Sequence, residues 1–299
     1  MDDGIDVEHR QVRALIDDQF PQFSGLSIEA IQPGGWNNRS FRLGEGYVVR
    51  MPSAKRYEPQ IKREKLGLCR LTSQPSVRLP RYYAMGRAGH GYPYSWSILH
   101  WVEGTPIDAT AMITDPVLAR DLGQYLGKLQ QSPTPSGLLP PGVDNFYRGG
   151  DLRVYETETL SALDQLKTEC QSSFLRIWEQ ALTSSWQTPP VWVHGDVAPG
   201  NLLTTKGRLT GAVDFGLMAV GDPACDLVIA WAHLDKTCRK EFASTLPLGL
   251  ACWQRAMGWA LWKAAIVLAG EAAPAEQTAV AKRVLDLLSE DQSFLQNNS

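Results

Sequence analysis

The residues with the greatest chemical capacity lie between Val191 and Gly216. The stretch reads Val-Trp-Val-His194-Gly-Asp196-Val-Ala-Pro-Gly-Asn201-Leu-Leu and, further on, Leu-Thr-Gly-Ala-Val-Asp214-Phe215-Gly216. An apolar strand delivers His194 and Asp196 into a Pro-Gly loop, and Asn201 stands at the loop's exit. A second apolar strand then presents Asp214, with Gly216 releasing the chain from strand geometry. The expectation is that three oxygen-bearing side chains emerge from adjacent strand ends and converge. Asn201 and Asp214 together offer the hard oxygen ligands that suit Mg2+, an ion that keeps waters and shares substrate phosphates. Asp196 is left over as a base for a hydroxyl nucleophile. Any one of these residues alone is an ordinary turn former. Together, in this order and spacing, they point to chemistry.

His194-Gly-Asp196, Asn201 and Asp214-Phe215-Gly216 resemble the catalytic and metal loops of the protein-kinase-like fold. More closely the stretch resembles the aminoglycoside phosphotransferase family, relatives of macrolide and choline kinases, which writes His-Gly-Asp where protein kinases write His-Arg-Asp. Gly221-Asp222-Pro223-Ala224-Cys225-Asp226-Leu227 is similar to that family's continuation, and the likeness runs from about Pro33 to Trp231. The resemblance implies an α+β, bilobal fold: a small antiparallel-sheet N-lobe over 1–103 and a mainly helical C-lobe over 104–299. It implies that Asp196 is the catalytic carboxylate, that Asn201 and Asp214 hold Mg2+, and that His194 and Asp226 brace the loop. There is no Ala-Pro-Glu element, and Ala198 occupies the position where Ser/Thr kinases carry lysine; both departures argue against a protein substrate.

For the front of the chain the resemblance implies a nucleotide site. Pro33-Gly34-Gly35-Trp36-Asn37-Asn38 would be the loop over the phosphates, with Gly34 and Gly35 at its turn. Arg50, in Tyr47-Val48-Val49-Arg50-Met51, would be the basic residue of the third strand, its guanidinium engaging phosphate oxygens through two donors. Glu64 is the expected ion-pair partner, since Glu58 stands too near the helix start. In Ser97-Ile98-Leu99-His100-Trp101-Val102-Glu103-Gly104 the His100 carbonyl and the Val102 amide would receive adenine. The donor would be ATP or GTP.

The elements that must position these groups follow from periodicity. An amphipathic helix is expected over 6–19, strands over 26–31, 40–43 and 47–51, a helix over 58–72, and strands over 81–85 and 95–102. Beyond Gly104 helices are expected over 115–131, 155–183, 222–234, 236–269 with a break near Pro247, and 275–295. The Pro-rich stretch 132–142 reads as a loop, and Asp144-Asn-Phe-Tyr-Arg148-Gly-Gly-Asp151 as a turn of unassigned chemistry. The seven tryptophans after residue 104 read as core, with an aromatic cage as the alternative.

Composition narrows the function classes. The chain has 299 residues, 43% hydrophobic and 20% charged, which excludes wholesale disorder. A net charge of −3 argues against a broad nucleic-acid-binding surface. The acidic N-terminus lacks signal-peptide features, and Arg255 and Lys263 interrupt the most apolar stretch, so no membrane span is expected. Five cysteines without a close pair read as reduced thiols of a cytoplasmic protein. Residues 1–104 hold 14 Lys/Arg against 11 Asp/Glu, and the remainder 15 against 21. The acid excess of the rear suggests a cationic acceptor. The reading as a whole is a monomeric O-phosphotransferase acting on a small-molecule hydroxyl, first an aminoglycoside-type antibiotic. The alternatives are a kinase of a macrolide, choline, a sugar or homoserine, or a nucleotide-binding interaction module.

Overall fold

Short apolar runs punctuated by glycine fold here as the antiparallel sheet that their spacing predicts. The computed structural model describes residues 4–32, 34, 37–71, 77–134, 137–168, 170–270 and 273–290. These form two compact units, 1–103 with 211–217 and 104–210 with 218–299. Pro33, Gly35 and Trp36 lie outside the described residues, as do residues 291–295 of the last expected helix.

The first unit contains helix α1 (His9–Gln19), strands β1 (Ile28–Ala30), β2 (Asn38–Leu43) and β3 (Tyr47–Pro52), helix α2 (Glu58–Leu68), and strands β4 (Tyr82–Gly86) and β5 (Trp96–His100). The sheet order is β1-β2-β3-β5-β4, every neighbour antiparallel. Val12, Leu15 and Ile16 recur at helical spacing on α1 and pack into one core with Phe41, Leu43, Val49, Met51, Trp96 and Ile98. The β2–β3 turn passes through Gly44 at a φ of 55°, where a side chain would be strained. In the β3–β5 ladder Arg50 stands opposite Ser97 and Tyr47 opposite His100, which fixes the face that Arg50 presents.

The second unit holds strand β6 (Thr105–Pro106), helices α3 (Pro116–Gln131), α4 (Glu156–Leu166) and α5 (Gln171–Leu182), and strands β7 (Val191–Val193), β8 (Leu202–Thr205), β9 (Arg208–Ala212) and β10 (Ala219–Gly221). Helices α6 (Ile229–Ala232), α7 (Lys236–Ser244), α8 (Leu250–Ala269) and α9 (Ala275–Glu290) follow. The last two residues of β9 pack with the first unit. Helix α8 is the axis of the second unit's core, with Trp253, Trp259, Leu261 and Trp262 all buried. Gly258 makes its close packing possible, because a β-carbon there would lie 2.5 Å from both Ala181 and Leu152. Arg255, within this apolar helix, is neutralised by Asp222 at 2.6 Å. Among the described residues no helix is long and apolar enough to cross a membrane. Six of the seven rear tryptophans (all but Trp186) are buried as core.

Three expectations are corrected. The helix read through 155–183 divides into α4 and α5, with Lys167 at a φ of 45°; the polar run from Lys167 cannot extend the apolar stripe. The helix read through 222–234 is a tighter 3-10 segment, Pro223–Val228, before the short α6. There Pro223 removes a donor and the Asp222 carboxylate accepts the Ala224 amide at 3.1 Å. Finally, β7 pairs with β10, whereas β8 and β9 form a sheet with β6. The strand before Asp196 and the strand before Asp214 thus belong to different ladders.

Gly86 pairs with Trp96 across β4 and β5, and a β-carbon on it would meet the indole at 2.0 Å. Gly86→Ala is expected to cost about 1–3 kcal/mol by overpacking, read from the urea midpoint. Gly46→Ala, whose β-carbon meets nothing within 4 Å, serves as the control and should shift stability by less than about 0.5 kcal/mol.

Candidate active site

The second unit carries the loop that leaves β7. The buried Asp226 accepts the His194 amide at 2.7 Å through Oδ2 and the Gly195 amide at 2.8 Å through Oδ1. Both amides reach one carboxylate because Gly195 adopts a φ of 81°, a conformation that glycine enters without strain. Burial raises the Asp226 pKa, opposed by His194 and by the two amides. His194 is itself fully buried, and its Nδ1 accepts the Asp196 amide at 3.2 Å. The imidazole is thus part of the loop's frame.

Asp196 is fixed from the other side by Asn201, at the end of the turn Pro199–Asn201. Asn201 Nδ2 donates to the Asp196 carbonyl at 3.0 Å and to Asp196 Oδ2 at 3.2 Å. With its amide nitrogen so engaged, Asn201 keeps Oδ1 as an acceptor for another ligand. The second carboxylate oxygen, Asp196 Oδ1, lies 3.9 Å from Lys263 Nζ on α8. The Asp196 side chain remains 31% exposed.

The first unit carries a cluster of opposite character. Arg50 on β3 donates through Nη1 to Glu64 Oε1 and through Nη2 to Asp214 Oδ1, each at 2.5 Å. Glu64 also accepts the Phe215 amide at 3.0 Å, so a buried carboxylate on α2 holds both the arginine and the chain at 215. Burial works against the Arg50 charge, but Asp214 and Glu64 outweigh it and hold its pKa above the ordinary value. The Glu64 pKa is raised, by burial and by Asp214, with Arg50 and the Phe215 amide opposing. Asp214 takes a φ of 64° two residues beyond β9, a left-handed conformation that aspartate tolerates better than most residues. Gln60 on α2 accepts from Asn37 at 3.3 Å.

The remaining expected residues fall as follows. Gly34 is open, with nothing within 4 Å of where a β-carbon would be, and Gly35 lies outside the described residues. His100 ends β5; its amide donates to the Arg81 carbonyl at 2.8 Å, and its ring lies against Tyr47 and Tyr83. Burial and Arg81 lower the His100 pKa. Val102, in the extended segment beyond, has a buried side chain. The structure therefore brings Arg50, Glu64 and Asp214 together in one unit, and His194, Asp196, Asn201 and Asp226 in the other. Among the described residues no group of three His, Cys, Asp or Glu could cage a metal ion. Sequence reasoning did not find Lys263 beside Asp196; its only signal was a charge inside an apolar helix.

No curated protein matches the sequence. Among solved structures, the GDP and kanamycin complex of an APH(2'') phosphotransferase is similar with a TM-score of 0.69 and 19% identity, covering 94% of this chain and 98% of the other. The streptomycin–ATP ternary complex of a second APH(2'') enzyme matches with a TM-score of 0.60 and 16% identity over 96% and 98% of the two chains. A macrolide 2'-phosphotransferase from Brachybacterium faecium, as apoenzyme, gives a TM-score of 0.54 and 19% identity over 91% and 97%. At these identities the likeness is one of fold, a kinase-like mixture of antiparallel sheet and helices. The phosphotransferase enzyme family model, named APH, matches residues 27–259, and the chain belongs to that family.

Proposed function

We propose that the protein transfers the γ-phosphoryl group of ATP or GTP to a hydroxyl of a small molecule. The observation that carries the reading is the 194–201 loop. It offers a partly exposed carboxylate whose main chain is clamped by Asp226 and whose side chain is oriented by Asn201. In this reading Asp196 orients the acceptor hydroxyl and takes its proton. Phosphoryl transfer makes few covalent demands on a protein, so positioning and charge supply most of the catalysis. On the donor side, Arg50 adds positive charge held in place by Glu64, the 33–38 loop covers the phosphates, and the His100 carbonyl and Val102 amide receive the base.

Mg2+ would neutralise the triphosphate charge. The oxygens proposed to hold it are the Asp214 carboxylate, one-third exposed, and Asn201 Oδ1, left available by the hydrogen bonds of Nδ2. Two protein oxygens suit an ion that draws its other ligands from water and phosphate. The solved relatives with kanamycin, streptomycin and a macrolide activity make antibiotics the first acceptors to screen, with polyhydroxylated metabolites beside them. The five cysteines are free, which fits a cytoplasmic protein. Nucleotide turnover measured across a panel of such alcohols tests the reading; a folded protein that binds no Mg-nucleotide would overturn it.

Two results are expected from substitution. Asp196→Asn should lower kcat by about 10²–10⁴-fold with the nucleotide dissociation constant nearly unchanged. Asp214→Asn should instead weaken Mg-nucleotide binding; equal loss of affinity in both variants contradicts the assignment. Arg50→Ala leaves the buried Glu64 without its counter-charge and should cost about 3–5 kcal/mol in denaturant unfolding as well as raising the nucleotide KM. Arg50→Lys restores part of both, because the charge survives and the two-donor geometry does not.

A further inference from the structure

Lys263 and the unassigned segment around Arg148 share one wall of the second unit. The 194–201 loop has no cation of its own, and Lys263 brings one to 3.9 Å from Asp196 with half of its side chain still open. The guanidinium of Arg148 stands 4.9 Å over the ring of Trp262, the residue before Lys263, and 5.2 Å from that of Trp259. Tyr155 stacks on Trp262 at 3.9 Å and completes an aromatic support.

The loop that carries Arg148 is firmly built. The fully buried Asn145 accepts the Gly142 amide and donates to the Arg148 carbonyl, both at 2.9 Å. The Gly149 carbonyl accepts the Asp222 amide at 2.7 Å, and Gly221 leaves room for it, since a β-carbon at 221 would lie 2.2 Å from that oxygen. Phe146 and Tyr147 are both left-handed, at a φ of 50° and 51°, a conformation that side chains other than glycine rarely adopt.

Lys263 has Asp196 as its counter-charge at 3.9 Å. Among the described residues no carboxylate lies within ion-pair distance of Arg148. Glu158, the acid of α4 at this wall, accepts the Trp262 indole N–H at 2.7 Å. Acids further along are engaged elsewhere: Asp151 with Arg153, Asp222 with Arg255, and Asp226 with two amides. The Arg148 cation works against the Lys263 charge, and Asp196 supports it. An anion placed here would relieve that repulsion, and a polyamine would increase it.

We infer that Arg148 and Lys263 recognise an anionic group on the acceptor, a small polyol bearing a carboxylate or phosphate whose hydroxyl is directed to Asp196. The guanidinium offers two parallel donors to such a group and the ammonium a point charge. This rests on the phosphotransferase reading and narrows its acceptor.

The test uses the full chain with Mg2+ and ATP or GTP, following both nucleotide turnover and acceptor binding. Gluconate, glucuronate and glucose 6-phosphate are compared with glucose, and with the cationic glucosamine and kanamycin. An anionic compound should be preferred over its neutral counterpart by about tenfold or more, the size of one charge-assisted hydrogen bond. Arg148→Gln and Lys263→Gln should each raise that acceptor's KM by a similar factor with the nucleotide KM unchanged, and Arg148→Lys should recover part. The inference is overturned if the cationic compounds are preferred, if no anionic compound binds or reacts while Mg-nucleotide binds, or if Arg148→Gln leaves the acceptor KM unchanged. A Lys263→Gln effect confined to the nucleotide KM assigns that lysine to the transferred phosphoryl group and likewise overturns the pairing. Failure to bind Mg-nucleotide at all falls on the phosphotransferase reading instead.

Discussion

Two main-chain amides directed at one buried carboxylate hold the 194–201 loop in its shape. Asp226 is 1% exposed, and a carboxylate at that depth is costly unless its oxygens are satisfied. The His194 and Gly195 amides satisfy them, so the loop cannot relax without stranding a charge. The constraint spreads outward from there. Gly195 has to turn left-handed, His194 has to be buried to offer Nδ1, and Asp196 is then the first residue free to face outward. Asn201 closes the loop from its far end.

The cluster around Arg50 works by another logic. Buried ion pairs contribute little net stability, because desolvation offsets most of the Coulomb gain. What the cluster accomplishes is attachment. One guanidinium joins strand β3, helix α2 and the 211–217 segment, and the Phe215 amide adds a second tie to the same glutamate. A left-handed Asp214 is tolerated because these contacts determine its place several times over.

Much of this was legible in the residues. Period-2 runs between glycines announced the sheet, and the spacing from His194 to Asn201 announced the loop, because short-range geometry sets both. The Arg50–Glu64 partnership was implied by the family resemblance, and the structure forms it at 2.5 Å. The illegible parts depend on contacts distant in sequence. Nothing in Val191–Val193 says that its partner is β10, and nothing local to Arg148 or Lys263 says that tryptophans of α8 bring them onto one wall. The break at Lys167 was missed because apolar residues on both sides carry a helical period across the polar gap.

The contact between Gly149 and Gly221 bears on how a protein of this kind changes over generations. A β-carbon at 221 would lie 2.2 Å from the Gly149 carbonyl oxygen, and Gly149 takes a φ of 80°, so a side chain is blocked at the one and strained at the other. Arg148, one residue away, projects its head group over aromatic rings and is held at its carbonyl by Asn145. Placement and selectivity are thereby assigned to different residues. A lineage can exchange the head group at 148 or 263 and meet a new acceptor while the surrounding frame stays as it was. The two glycines, by contrast, have almost no neighbouring sequence to explore.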